Sequence, residues 1–276
     1  MKERNFKNVL LSFTSVFMII FCITPFVFML LISFSKNPDF LSEQTTFMFT
    51  LENIKNILTI KNLHFIDYLK NSLIISFISS VITILITSTG AYAITRLKIS
   101  GRILILLIIL AVSMFPQISI VGYIFKFMST IGWINTYQAL IFPYISWSLP
   151  LALWILVSYF SQIPKELDKA GLIDGCSKWQ ILYKIILPVS LPGIFSTILL
   201  VFIFSFNEFL FALMLTTNFH SQTIPVGITL FQGIHGEIPW GNIMAASMFS
   251  TLPIVVLIFI FQKYIIQGLT KGAVKG

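Results

Sequence analysis

Long apolar stretches alternate with short charged ones along this chain. No Asp, Glu, Lys or Arg falls within Val9–Phe34, Asn71–Thr95, Ile103–Phe125, Phe127–Pro164, Ile185–Asn207 or Ile238–Gln262. A helix needs about 20 mostly apolar residues to cross the hydrocarbon layer, so each gap can hold one span. The pattern predicts six transmembrane helices, at about 9–34, 71–95, 103–125, 138–162, 189–215 and 243–265. The fold class is therefore all-α, a polytopic membrane protein that reads as a single domain over residues 1–276.

The most distinctive interruption is the hydrophilic loop at about 163–188. Pro164 suits the first turn of a helix, where a missing N–H costs nothing. Glu166 and Asp168 follow where the helix dipole favours negative charge. Leu167, Ala170 and Ile173 recur at helical spacing, and Ala170-Gly171 leaves a surface almost without side chains that another backbone could approach. Asp174-Gly175 reads as a turn. Ser177-Lys178-Trp179-Gln180 has capping-box spacing, which predicts a second helix running through Ile185 to Pro188. A compact helix–turn–helix in one loop of an apolar protein points to a soluble docking partner.

Composition agrees with the pattern. Charged residues make up 10% of the chain, against about 25% in soluble domains. Lys2, Arg4 and Lys7 open the chain as in a signal peptide, but the apolar run that follows is much longer than the usual h-region of about 7–15 residues. No small-x-small cleavage site follows it, so the first span reads as retained. The formal net charge of +8 is distributed by topology. Assigning Lys and Arg to alternate sides, with the N-terminus inside, gives 13 inside and 5 outside. That is the positive-inside bias; it places both termini and the 163–188 loop in the cytoplasm and makes the basicity a topology signal rather than a nucleic-acid footprint.

The loop residues also carry a family resemblance. Ala170, Asp174, Gly175, Ile185, Leu187 and Pro188 match the EAA loop of ABC importer membrane subunits, whose pattern is roughly E-A-A, three residues, G, then I-x-L-P about nine residues later. Further matches are Phe49–Asn53 in the external segment, Asn71-Ser72-Leu73, Ala91-Tyr92-Ala93 with Arg96 and Gly101-Arg102, and the Gly268–Gly276 tail. Along most of its length the chain resembles the MalG-type permeases of carbohydrate ABC importers. Two positions depart from the pattern: the usual Glu is Lys169, and the second Ala is Gly171.

The resemblance implies a type I importer permease fold in the cytoplasmic membrane of a prokaryote. It also implies partners: a homologous permease in a heterodimer, two ATP-binding subunits, an extracytoplasmic solute-binding protein and the surrounding lipid. Glu166, Lys169, Ala170, Gly171, Asp174, Gly175, Ile185 and Pro188 would couple the chain to the ATPase. A permease for a polyamine or phosphonate is the nearest alternative.

The remaining candidates are sparse. No GxxxxGK[ST] phosphate loop occurs, so ATP and Mg would be used by a partner and not by a cofactor site in this chain. His64, His220 and His235 lie in external segments without HExxH spacing, and Cys22 and Cys176 have no metal-ligand neighbours. Glu208, beside Asn207, is the only acid deep in a span, and such an acid is costly enough to be a functional candidate. With so few intramembrane titratable groups, a membrane enzyme or an ion-coupled carrier is disfavoured. Gln117 in span 3 and Trp147 in span 4 join Asn207 and Glu208 as candidates for a translocation path, since rings and polar groups suit a sugar. Packing against neighbouring helices is the competing role for each.

Overall fold

The computed structural model describes residues 2–36, 48–97, 99–231 and 238–273. Phe47, Lys98, His235 and the last three residues of the tail fall outside them, along with the expectations they carried. Among the described residues the secondary structure is helical, with one isolated bridge between Ser35 and Phe49.

In chain order the helices are α1 (Lys2–Ser33), α2 (Glu52–Thr59), α3 (Phe65–Arg96), α4 (Arg102–Ser113), α5 (Gln117–Thr130) and α6 (Tyr137–Ser161). Then follow α7 (Glu166–Ile173), α8 (Lys178–Val189), α9 (Leu191–Phe206), α10 (Leu210–Leu215), α11 (Ile224–Thr229) and α12 (Trp240–Ala273). Four helices, α1, α3, α6 and α12, are long and apolar enough to cross a membrane alone. Two further pairs are bent. The first falls on the span predicted at 103–125, whereas the second joins α8, which lies almost wholly in the predicted 163–188 loop, to the start of the predicted fifth span. The pair α4 and α5 bends by 85° at Met114–Pro116, and α8 and α9 bend by 81° at Ser190. Counting each bent pair as one span gives six. Proline explains both sites, because Pro116 and Pro192 each stand just after a break and cannot donate to the preceding turn.

The predicted fifth span also stops early. Helix α9 ends at Phe206, and α10 restarts at Leu210. The side chain of Asn207 donates back to the Ile203 carbonyl at 2.8 Å, which competes with continuing the helix.

The chain packs as two compact units. The first comprises residues 1–66 and 227–253. Within it, the Asn53 side-chain amide donates to Ser33 O at 2.9 Å and Ser35 O at 2.8 Å, satisfying carbonyls that the end of α1 leaves open. Gly241 passes so close to Asn53 that an added Cβ would lie 2.5 Å from its amide. The external segment thus folds back on the end of α1: Ile57 is buried, and Phe49 stacks on Phe34 with ring centroids 5.4 Å apart.

The second unit, residues 67–226 and 254–276, holds the loop of interest. Helices α3 and α6 run parallel and touch at successive levels. Asn71 accepts from the Tyr137 hydroxyl, the Thr83 and Ser148 hydroxyls lie 3.1 Å apart, and Gly90 lets Leu153 approach. The contact is close because α3 buries small polar residues at helical spacing: Ser72, Ser76, Ser79, Thr83 and Thr87. In lipid, small residues let backbones approach; here Thr87 donates to the Thr83 carbonyl and Ser72 accepts from Ile224 N, while the buried Ser76 and Ser79 hydroxyls make no hydrogen bond. Two apolar clusters complete the unit. One joins α3, α5 and α6 to α10 around Tyr144 and Phe211; the other joins α3, α4 and α6 to α8 around Leu156, Phe160, Ile181 and Ile186.

Candidate functional site

Helices α7 and α8 make the helix–turn–helix that the sequence predicts. Helix α7 begins at Glu166, two residues after Pro164, within the usual uncertainty of helix ends. It ends in a Schellman turn: Cys176 N donates to Gly171 O at 2.9 Å and Gly175 N to Leu172 O at 3.1 Å. Gly175 adopts φ +77°, a left-handed conformation that only glycine takes freely. The capping box at the next helix is complete. Gln180 N donates to Ser177 Oγ, and Ser177 N donates to Gln180 Oε1 at 2.7 Å.

The middle of α8 widens into one π-helical turn, Leu182–Ile186. Pro188 accounts for it. Lacking an N–H, it cannot bond the Lys184 carbonyl, and the ladder shifts register instead of breaking. Helix α8 continues through Pro188 to Val189, so the proline lies inside the helix and the direction changes at Ser190, whose hydroxyl caps the Ile186 carbonyl.

The structure corrects the reading of Gly171. The residue is buried, and an added Cβ would lie 2.8 Å from Ile185 Cδ1 and 3.0 Å from Ile181 Cγ1. Its smallness serves the packing of α7 on α8, not a partner. Ala170 alone of that pair is exposed. The expected Leu167–Ala170–Ile173 stripe likewise divides. Leu167 packs against the inner cluster, while Ile173 is 86% exposed.

What the loop presents outward is an apolar rim made of Leu172, Ile173, Trp179 and Tyr183, all exposed, with the last two rings stacked at 6.1 Å. Glu166, Lys169, Asp174 and Pro188 are exposed as well. Behind the rim, Ile181, Leu182 and Ile186 are buried, and Ile185 is half-buried over Gly171. Burying such a side chain is worth about 1.5–3 kcal/mol, which anchors α8 on the bundle while Trp179 and Tyr183 stay exposed.

A second anchor escaped the sequence reading. Arg96, at the end of α3, has a side chain only 4% exposed. It donates to Phe160 O at 3.1 Å and to Ile163 O at 2.7 Å, and its Nη1 lies 3.5 Å from the Asp168 carboxylate. One guanidinium thereby joins α3, the end of α6 and α7. The available signal was an Arg at the end of a span whose nearest acid in the sequence, Asp67, is 29 residues away, while Asp168 lies beside it in space.

Of the four candidates for a path, Trp147 and Glu208 both touch Phe211, one through its ring and the other through its backbone N–H. Trp147 lines an open cavity of about 390 Å³ with Tyr123, Phe127, Phe142 and Phe211. Gln117 stands half-buried at the start of α5, and Asn207 is exposed at the end of α9. Glu208 is buried and serves its own chain: its two oxygens accept from Phe211 N at 2.9 Å and Ala212 N at 3.2 Å. It caps α10 at the point where the fifth span breaks. Among the described residues no cluster of three or more His, Cys, Asp or Glu could hold a metal ion.

These features define a class: a helical membrane protein with bent apolar helices and a helix–turn–helix loop that exposes apolar side chains. Residues 87–271 match the family described as binding-protein-dependent transport system inner membrane component, and the chain belongs to that family of transport subunits. It is 54% identical over 277 residues, covering all of both chains, to the trehalose/maltose transport system permease protein MalG of Thermococcus litoralis. It is 41% identical to the trehalose transport system permease protein SugB of Mycobacterium tuberculosis, over 77% of this chain and 78% of that one. Its fold is similar to that of a chain in a bacterial ABC transporter involved in the import of the acidic polysaccharide alginate (TM-score 0.78, 19% identity, 96% of this chain and 98% of that one).

Proposed function

We propose that this chain is the permease subunit of an ATP-driven importer that carries a carbohydrate delivered by a solute-binding protein. The observation that carries the reading is the apolar rim of Leu172, Ile173, Trp179 and Tyr183 on a loop pinned by Ile181, Leu182 and Ile186. A rim of that kind is the anatomy of a protein interface, in which aromatic anchors supply most of the binding energy. The sugar-transport names of the relatives support the solute class. A similar fold has been solved in complex with a substrate-bound periplasmic protein, which supports a solute-binding partner.

In this reading both termini and the loop face the cytoplasm, as the Lys and Arg distribution requires. Two ATP-binding subunits dock on the rims of this chain and of a homologous permease, and they use the ATP and Mg. Closure of the ATPase pair moves α7 and α8. Because Arg96 bonds the ends of α3 and α6 to Asp168 of α7, the movement passes directly into two spans. The gate shifts as the helices rock, and the solute enters from the opposite face. Trp147 and its aromatic neighbours suit the path, since flat rings stack on sugar faces, whereas Glu208 maintains the break between α9 and α10.

The reading is tested by reconstituting the chain with its ATP-binding and solute-binding partners and measuring uptake. Replacing Trp179 and Ile173 with Asp should abolish ATP-dependent sugar uptake while the permease remains folded. Unchanged uptake would refute the coupling role.

A further inference from the structure

Two adjoining cavities open beside the Arg96 anchor. The larger, about 600 Å³, is lined by Arg96, Arg102, Lys165 and Lys169 against one acid, Asp168. The smaller, about 290 Å³, shares Arg96, Arg102 and Lys165 but is otherwise mostly apolar, floored by Ile103, Leu106 and Val157. The two share a cationic mouth, and the apolar part extends along α4 and α6.

Three observations mark the mouth as an anion site. The four cations outnumber the acid, which pairs with Arg96 at 3.5 Å although its buried Oδ2 accepts no hydrogen bond. The buried Arg96 Nε has no hydrogen-bond partner, although the rest of that guanidinium is committed. Helix α4 starts at the cavity with no side-chain cap, since its N-cap is Gly101, so its first N–H groups and positive dipole end are unopposed.

We infer that these cavities bind an anionic membrane lipid. Its phosphate sits among Arg102, Lys165 and the start of α4, and an acyl chain lies over Ile103, Leu106 and Val157. A free phosphate would use the cationic mouth alone and leave the apolar floor unexplained, whereas basic pockets between spans are a recurrent way to hold anionic headgroups. The lipid would rest against the joint between the inner loop and α7. The inference depends only on this geometry, not on which solute the permease carries.

The test uses the full chain purified in neutral detergent, with retained lipid read by native mass spectrometry. Titrants are phosphatidylglycerol, phosphatidylcholine and water-soluble glycerol 3-phosphate. Phosphatidylglycerol should be retained in preference to both others. The pair Arg102→Gln and Lys165→Gln should lower its retention at least about tenfold, as loss of two basic contacts implies. The pair Arg102→Lys and Lys165→Arg should preserve it and shows that the surface tolerates change. Ile103→Gln, at an exposed position, should weaken the lipid but leave glycerol 3-phosphate unaffected. Equal retention of the two lipids, or indifference to the Gln pair, overturns the site. Glycerol 3-phosphate binding as tightly as phosphatidylglycerol overturns the lipid assignment.

Discussion

The Arg96 guanidinium lies 3.5 Å from the Asp168 carboxylate, and the two come from segments more than seventy residues apart. The pair is a polar joint between α3 and the α7–α8 loop. Removing one member of a buried pair leaves the other charge uncompensated. Asp168→Asn should therefore lower stability by about 1–3 kcal/mol and loosen α7. Arg96→Gln should cost more, because it also strips two carbonyls of their donor. Thermal melts of the purified chain, run beside protease cleavage within residues 164–176, check both the loss and its location.

Gly171 should tolerate only the smallest changes. Its Cβ would already meet Ile185 and Ile181 at 2.8 and 3.0 Å. Gly171→Leu should force α7 away from α8, at a cost of about 1–3 kcal/mol typical of overpacking. Gly171→Ala should be milder, because both contacts are ends of flexible side chains. The melting order of wild type, Ala and Leu tests this; equal stability would mean that the residue faces outward after all.

Gly175 fails differently. No atom lies within 4 Å of its added Cβ, so any penalty arises from the backbone at φ +77°. A left-handed residue other than glycine costs about 1–2 kcal/mol. Gly175→Val should destabilise the turn, and Gly175→Asn should lose much less, because Asn accepts that conformation. Melting temperatures of the two variants separate strain from crowding.

Glu208 gives a graded series. Glu208→Gln keeps one carbonyl to accept an N–H, while Glu208→Ala leaves Phe211 N and Ala212 N without their partners. Stability should fall in the order Glu, Gln, Ala, by about 1–3 kcal/mol for the last, with uptake falling in step. A variant that keeps full stability but loses sugar affinity would move Glu208 into the path.

Much of this was legible in the chain itself. Four of the charge-free runs coincide with helices long and apolar enough to cross a membrane, because burial in lipid excludes charge over a fixed length. The capping box at Ser177 and the turn at Gly175 are local features with local causes, and both stand where the residues placed them. The breaks were less visible. An apolar run says where a chain can enter a membrane, not whether the helix within it is continuous, so the kinks at Met114–Pro116 and Asn207–Phe209 appear only in three dimensions. The side to which Gly171 turns depends on the angle between two short helices. The partner of Arg96 depends on which spans are neighbours. Neither is written in a period or a spacing.

The central claim is that the rim on α7 and α8 is the docking face for the ATP-binding subunit. Ile173 offers the most direct test, because it is 86% exposed and its replacement leaves the internal packing intact. The measurement is the affinity of purified Ile173→Asp permease, with its partner permease, for the ATP-binding subunit in nanodiscs, alongside the melting temperature of the same sample. The account predicts an unchanged melting temperature and an affinity at least about tenfold weaker, the loss expected from burying an unpaired charge at an interface. Wild-type affinity in a folded Ile173→Asp protein would contradict it.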